Sequence, residues 1–219
     1  MTEAVPIDEF LAGEGFITEW ARYQGRAILE QAGLTRAGKT GMAPGKLAQA
    51  RAALARGALR TCGDPDCARL GSPQQDGRLL VEGPPETCEV CHGSNNRRAA
   101  LVLAEACRAN GVRRLLILGG TGANHAELRD LLTGKDVSLR CIDGAAQTVT
   151  KRDALRDLDW AELMVVWAST PLPHKVSVSF TDERPSTLPM ITVARRGIAA
   201  LCREAAIAVS GGPKRAGRQ

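Results

Sequence analysis

Apolar and polar residues follow two different rhythms in the second half of the chain. Four short apolar runs, each bounded by turn-forming residues, have the length of buried strands. They lie at residues 115–118, 139–142, 164–167 and 190–193. Helical spacing of apolar positions surrounds them at residues 97–110, 125–132, 151–158, 174–179 and 198–209. Strands that alternate with helices favour a parallel sheet covered on both faces, so the pattern predicts an α/β domain with a Rossmann-like sheet of about four strands over residues 97–209.

The first sixty residues have helical patterns instead. Apolar residues at helical spacing predict one helix over residues 7–32, which Gly33 can end. Glycines and a proline predict a turn region at residues 34–44, and a second helix is expected over residues 45–59. We therefore interpret residues 1–60 as a helical segment with a basic character.

Residues 61–96 differ from both flanks because Gly, Pro, Asp and Ser are concentrated there, around one short strand expected at residues 78–81. Four cysteines lie in this stretch, which we interpret as a zinc-ribbon-like module between the helical segment and the α/β domain. Residues 210–219 are predicted to be a basic tail.

The cysteines of the module are spaced as metal ligands. Cys62-x4-Cys67 is followed, twenty residues later, by Cys88-x2-Cys91. Two short loops with two thiolates each supply the tetrahedral ligand set that Zn²⁺ requires. Four thiolates close the coordination shell, so we predict one structural zinc ion, with His92 in place of one thiolate as the alternative. The remaining cysteines lie in apolar patterns and are expected to be small buried residues: Cys107, Cys141 and Cys202.

Composition limits the cellular setting. The first ten residues have neither the basic start nor the apolar stretch of a signal peptide, and the apolar runs are too short to span a bilayer. We therefore expect a cytoplasmic protein without membrane contact, in which cysteine clusters hold metal more often than they form disulfides. Because only 3% of the residues are aromatic, the core is expected to consist of Ala, Val, Leu and Ile.

Charge is distributed unevenly, although the net charge is only +5. Residues 1–20 carry five acids and no Lys or Arg, whereas residues 21–61 carry eight basic residues and one acid. Such a segment suggests a polyanionic partner, DNA or RNA, and two helices joined by a turn are compatible with a helix-turn-helix module. The alternative is a solvated face that the acidic start neutralises. The candidate nucleic-acid contacts are Arg36, Lys39, Lys46, Arg56 and Arg60.

Polar residues follow each of the four predicted strands. The carboxyl ends of parallel strands meet at one edge, where open α/β sheets bind ligands, so these residues predict one shared site. Glycines between a strand and a helix let backbone N–H groups approach an anion, which indicates a phosphate- or nucleotide-type ligand. The candidate ligand-binding residues are Gly119, Gly120, Thr121, Gly122, Asn124, Asp143, Ser169, Thr170, Lys175, Arg195 and Arg196.

The same strand ends offer candidate catalytic groups. His125 and His174 lie at the starts of predicted helices, and Asp143 follows the second strand. The glycine loop matches neither the dinucleotide pattern G-x-G-x-x-G nor a Walker A loop. Glycines that serve only to turn the chain remain the alternative for this loop.

Three stretches of this domain carry a resemblance: LLILGGTGANHAELRDLL, WAELMVVWASTPLPHKVS and ITVARRGIAAL. Together they resemble a bacterial family of small Rossmann-like domains with no assigned function, over about residues 113–206. Members of that family have a similar Gly-Gly loop, a polar pair such as His-Lys after the third strand, and basic residues after the fourth. The resemblance implies the fold and the strand-end site, and it implies no established activity.

Three classes of function remain open. The leading hypothesis is a binding or regulatory protein whose basic and zinc segments engage nucleic acid or a partner protein, while the α/β domain binds a nucleotide-like molecule. The alternative is an enzyme that processes phosphoesters or nucleotides, with the histidines as acid/base groups and Lys175, Arg195 and Arg196 as stabilisers of developing charge. A purely structural interaction protein is also consistent with the sequence.

Overall fold

The computed structural model describes residues 4–74, 76–143, 149–168 and 174–211, apart from the side chains of residues 174, 175 and 177. The chain divides into two compact units, Met1–Ser94 and Asn95–Gln219. The finer limits predicted at residues 60 and 209 stay predictions. No described helix combines the length and the apolar character that crossing a membrane requires.

The first unit contains four α-helices and four short strands among its described residues. The helices are α1 (Ile7–Gly13), α2 (Glu19–Gln31), α3 (Leu47–Gly57) and α4 (Pro65–Gly71). The strands are β1 (Val5–Pro6), β2 (Gly41–Met42), β3 (Ala58–Thr61) and β4 (Leu79–Glu82). β1 pairs with β2 in antiparallel fashion, and β3 pairs with β4 in parallel.

The first predicted helix, over residues 7–32, is wrong because two helices occupy this stretch. Gly15 adopts a left-handed backbone with φ +92°, which the right-handed helix cannot continue. The chain restarts at Thr18, whose Oγ1 accepts a hydrogen bond from the backbone N–H of Ala21 at 3.0 Å. A helix break and a new N-cap therefore separate α1 from α2.

The second predicted helix, over residues 45–59, ends earlier than expected. The α-helix stops at Gly57, and Ala58–Thr61 becomes strand β3 through its parallel pairing with β4. A strand was expected near β4, and the structure confirms it one residue later in the chain. The segment between the first two cysteines, expected to be a loop, instead begins α4, where Asp64 caps the helix by accepting from the N–H of Asp66.

The core of the first unit joins its helical part to the cysteine module. Ile7, Leu11 and Leu29 from the helices pack in one cluster with Ala58 of β3 and Val81 of β4. Burial of such side chains contributes about 1.5–3 kcal/mol each, so this cluster holds the two parts together.

The second unit contains the α/β sheet that the sequence predicts. Its helices are α5 (Asn95–Asn110), α6 (Gly122–Leu132), α7 (Lys151–Trp160), α8 (His174–Thr181) and α9 (Ile198–Gly211). Its strands are β5 (Arg114–Leu118), β6 (Ser138–Ile142), β7 (Leu163–Trp167) and β8 (Met190–Val193). The prediction of the α/β class is confirmed.

All four strands of this sheet are parallel, in the order β6-β5-β7-β8. Strand β5 is buried on both faces: Leu115 and Ile117 belong to the core that includes α5 and α9, and Leu116 and Leu118 to the core that includes α7 and α8. The strand order changes direction between β5 and β7. In sheets of this kind, ligands bind outside the carboxyl ends of the strands at that point.

Candidate functional site

Three stretches of the first unit bring the cysteine pairs together. Cys62 follows β3, Cys67 lies in α4, and Cys88 and Cys91 lie in the turns after a 3₁₀ segment at Pro85–Thr87. Their Sγ atoms lie within 4.8 Å of one another, and all four residues are buried. Cys62 Sγ and Cys91 Sγ are 3.8 Å apart.

These distances fit a tetrahedral metal centre. With Zn–S bonds of about 2.3 Å, tetrahedral geometry places the sulfurs about 3.8 Å apart. A disulfide would require about 2.05 Å, so the cluster is not a disulfide pair. The cluster can therefore hold a metal ion. The donor set, four thiolates without an oxygen ligand, is the one that structural zinc prefers.

The protein environment prepares one thiol for ionisation. Burial disfavours the thiolate of Cys88, but hydrogen bonds from the backbone N–H groups of Cys91, Cys62 and Val90 outweigh it and lower the Cys88 pKa to about 7. Burial, followed by hydrogen bonds with neighbouring thiols, raises the pKa of Cys67. Metal binding must therefore displace protons, and its affinity depends on pH.

Glu89 fixes the second cysteine loop to β3, and it was not among the predicted site residues. Its Oε1 accepts hydrogen bonds from Arg60 Nε at 3.0 Å and from the Arg60 backbone N–H at 3.2 Å. Its Oε2 accepts from Arg78 Nη1 at 3.3 Å, and its own N–H donates to the Arg60 carbonyl at 2.9 Å. Its position in the sequence between Cys88 and Cys91 could have identified it, because side chains that orient metal ligands by hydrogen bonding lie close to them. His92 is exposed, with φ +48°, and is not part of the sulfur cluster.

The glycine loop after β5 packs against a tryptophan. Gly119 and Gly120 are buried and have φ values of +92° and +84°. A Cβ on Gly119 would lie 2.5 Å from the Trp167 carbonyl oxygen, and a Cβ on Gly120 would lie 2.6 Å from the Trp167 ring. These two glycines therefore allow close approach of the loop to the end of β7.

The buried side chain of His125 closes this loop. It is 3% exposed, and its Nε2 lies 2.8 Å from the Gly119 carbonyl oxygen, a hydrogen bond in which the ring donates. A Cβ on Gly120 would also lie 3.2 Å from this nitrogen. The contacts of His125 are thus with the loop itself.

Trp167 connects the strand ends and was not among the predicted site residues. It is fully buried, contacts both glycines of the loop, and donates from Nε1 to the Arg195 carbonyl oxygen at 3.2 Å. On the other side of β5, the Gly119 N–H donates to the Ile142 carbonyl oxygen at 2.9 Å. A bulky residue that ends a buried strand was the signal available in the sequence.

Other predicted ligand residues lie at the same edge. Thr121 is exposed and caps α6, accepting from the N–H of Asn124 at 3.3 Å, and Gly122 is exposed, with open space where a Cβ would lie. Asp143, half-buried, directly follows β6. Arg195 and Arg196, both exposed, follow β8. Outside the described residues or side chains lie Ser169, Thr170, His174 and Lys175.

The predicted nucleic-acid contacts divide into two groups. Arg60 is used internally, since its guanidinium also donates to the Glu14 carbonyl oxygen at 2.8 Å. Arg36, Lys39 and Arg56 are exposed, and half-buried Lys46 places Nζ 3.5 Å from the Leu34 carbonyl oxygen. Ion pairs also join two neighbouring arginines to the acidic start of the chain, Arg26 to Asp8 at 2.9 Å and Arg51 to Glu14 at 2.7 Å.

Comparison with known proteins gives no family for this chain. No protein-family model, no curated protein and no solved structure matches it. The class that the fold and the site define is a two-unit α/β protein whose first unit contains a four-cysteine cluster able to hold a metal ion.

Proposed function

We propose that this protein is a zinc-stabilised binding protein that contacts the phosphate backbone of a nucleic acid. The contact lies on the first unit, on a basic surface that we define as Arg36, Lys39, Lys46 and Arg56. The observation that carries the proposal is the exposure of three of these side chains, with Lys46 reaching the loop on which Arg36 and Lys39 lie. Cations directed to solvent release the counterions of DNA or RNA when they bind phosphate.

The zinc ion has a structural part in this proposal. Four thiolates fill its coordination shell and leave no position for a reacting water. It joins β3, α4 and the turns around Cys88 and Cys91, and the core of the same unit includes α3, which carries Arg56.

The test is binding of a fluorescent 20-base-pair duplex, and of single-stranded RNA of equal length, measured by anisotropy at several salt concentrations. Four phosphate contacts on a duplex predict a slope of about −3.6 for log K against log salt concentration. Lys39→Ala should weaken binding to every duplex sequence and reduce the slope by about 0.9. Arg152→Ala, which removes an exposed arginine of the second unit, is the matched control. Absence of binding, or binding insensitive to salt, would contradict the proposal.

A second candidate function is binding of a phosphorylated small molecule at the strand ends of the second unit. The reversal of strand order between β5 and β7 favours this function, because ligands of such sheets bind at that point. The N-terminus of α6, which can attract an anion, follows β5, and the exposed cations Arg195 and Arg196 follow β8. Nucleotides and cyclic oligonucleotides serve as probes. A ligand that binds should stabilise the protein by about 2.7 kcal/mol at a ligand concentration of 100 times Kd, and the melting temperature should rise accordingly. Arg195→Ala and Arg196→Ala should abolish the shift, whereas Arg108→Ala on exposed α5 surface should not.

The resemblance to the bacterial Rossmann-like family remains part of this second candidate. The four-stranded parallel sheet and the buried Gly-Gly loop support it. The enzyme alternative receives less support, because the Nε2 of His125 is engaged by a backbone carbonyl inside the fold. A protein that binds neither nucleic acid nor nucleotides would leave the purely structural alternative.

A further inference from the structure

A groove of about 450 Å³ lies in the first unit directly beside the metal-binding cluster. Cys62 forms part of its wall, together with Thr61 of β3 and Glu82 at the end of β4. Trp20 of α2 and Asp64 at the cap of α4 line it as well. A volume of this size accommodates one or two large side chains of a ligand.

The ionisable side chains that line the groove are acidic or thiol groups. Glu82 is exposed, and its Oε1 approaches Gly63 so closely that a Cβ there would lie 2.7 Å away. Asp64 is half-buried and holds its carboxylate at the α4 N-terminus. When four thiolates hold a divalent ion, the centre next to Cys62 carries net negative charge as well. The groove therefore favours a cationic group.

Thr61 supplies a hydrogen-bond acceptor in the wall of the groove. Its side chain is 3% exposed and lines the groove, and its hydroxyl makes no hydrogen bond to any described residue. A hydroxyl oxygen can accept hydrogen bonds, so Thr61 can accept from a ligand that carries N–H donors.

The aromatic side of the groove indicates the shape of this cation. Trp20 is 52% exposed, although indole rings are usually well covered. A planar guanidinium stacks on an indole face while its N–H groups reach carboxylates in the same plane, which a compact ammonium cannot do as well. Trp20 beside Asp64 and Glu82 offers both contacts.

The surface next to the groove extends beyond one side chain. Ile17 and Tyr23 are 46% and 70% exposed and lie three positions before and after Trp20 along the chain. Residues three apart in a helix lie on one face, so Tyr23 continues the surface of Trp20 along α2. This apolar extension fits residues on either side of an arginine in a polypeptide.

We propose that the groove binds an arginine side chain of a partner protein, with the guanidinium between Trp20 and the carboxylates of Asp64 and Glu82. Thr61 accepts a further hydrogen bond, and Ile17 and Tyr23 contact apolar residues of the same partner segment. This site goes beyond the nucleic-acid proposal, because its charge is opposite to that of the basic surface.

The experiment titrates the zinc-loaded full chain, labelled with ¹⁵N, with an acetylated and amidated peptide Leu-Leu-Arg-Leu-Gly. The readout is the indole N–H signal of Trp20, assigned by its loss in Trp20→Phe. We expect this signal to shift with the peptide, and a peptide with citrulline in place of arginine to bind at least tenfold more weakly. Glu82→Gln should raise Kd about tenfold. Glu86→Gln, a change of the same charge at an exposed position that does not line the groove, should leave it within twofold.

Several results would overturn the proposal. Equal binding of the arginine and citrulline peptides would show that charge is not recognised. Equal weakening by the Glu82 and Glu86 variants would reduce the effect to general attraction. If arginine amide binds as tightly as the peptide, the assignment of the groove to a polypeptide is contradicted. If duplex DNA shifts the Trp20 signal and the peptide does not, the groove binds nucleic acid. An unchanged spectrum elsewhere establishes that each variant is folded.

Discussion

Gly120 provides a direct test of how the strand-end loop is built. In Gly120→Ala, the new Cβ would lie 2.6 Å from Cε3 and 2.8 Å from Cζ3 of Trp167, whose ring is fully buried. Overpacking of this kind costs about 1–3 kcal/mol, and a left-handed backbone costs a non-glycine residue about 1–2 kcal/mol more. We therefore expect a loss of about 2–5 kcal/mol in the stability of the second unit.

The assay is thermal unfolding followed by near-UV circular dichroism, to which Trp160 and Trp167 of the second unit contribute. A loss of about 3 kcal/mol should lower the melting temperature by roughly 10 °C. Gly122→Ala is the control, because a Cβ there meets no atom within 4 Å, and its effect should stay within about 0.5 kcal/mol. In a Trp167→Leu background, the added cost of Gly120→Ala should fall by about 1–2 kcal/mol, since the clash with the ring is gone.

A Gly120→Ala protein as stable as the wild type would refute this reasoning. The fold would then not require a glycine at position 120. Because substitution of Gly120 is expected to destabilise the fold, it is a poor probe of nucleotide binding. The side chains of the exposed residues Arg195 and Arg196 can instead be changed without disturbing the contact between Gly120 and the Trp167 indole.

The two units allow three further predictions. Glu89→Ala should lower zinc affinity about tenfold in competition with a chromophoric chelator, because Glu89 orients the ligand loop, and exposed Glu86→Ala should not. Removal of zinc by a chelator should unfold the first unit, seen as collapsed dispersion and broadening of its amide signals, because structural zinc contributes about 10 kcal/mol or more and a whole domain has about 5–15 kcal/mol; retained dispersion would contradict this. Glu162→Gln should destabilise the second unit by about 1–2 kcal/mol at pH 7, since its carboxylate accepts from the backbone N–H groups of Arg113 and Arg114. Burial opposes ionisation of Glu162, but these hydrogen bonds lower its pKa. Urea titrations should therefore show the full stability difference between the wild type and Glu162→Gln above about pH 4.3, and its loss as the pH falls through the lowered pKa of Glu162.

The sheet could be predicted from the sequence because its signal is local. Each strand is a short apolar run bounded by turns, and the predicted limits differ from the observed ones by a residue at most at either end. Strand β3 could not be found in this way, because Ala58 and Leu59 are good helix formers and become strand only through pairing with Leu79 and Leu80.

The four-cysteine cluster could also be predicted, whereas the neighbours of the strand-end loop could not. Cysteine spacing alone identifies the four sulfurs, since two paired loops are sufficient to form a tetrahedral site. The ring that packs on Gly120 belongs to Trp167, far away in sequence, and no spacing rule connects them. The ion pair between Arg60 and Glu89 could not be predicted either. The sequence alone indicates an exposed cation at position 60, and only the fold brings Glu89 next to it.

The distribution of the four cysteines has a consequence for synthesis of the protein. The chain between Cys62 and Cys91 is about 30 residues long, and the helices α1, α2 and α3 all precede it. A cross-link that closes a loop of this length removes unfolded-chain entropy worth about 3–4 kcal/mol, by the reasoning applied to disulfides. On the ribosome, these three helices emerge before any of the four cysteines, and a metal ion can close the loop only after Cys91 has left the tunnel. In the zinc-bound protein that we propose, zinc supply at that moment, and not only later in the life of the protein, would therefore determine how many newly made chains complete their first unit.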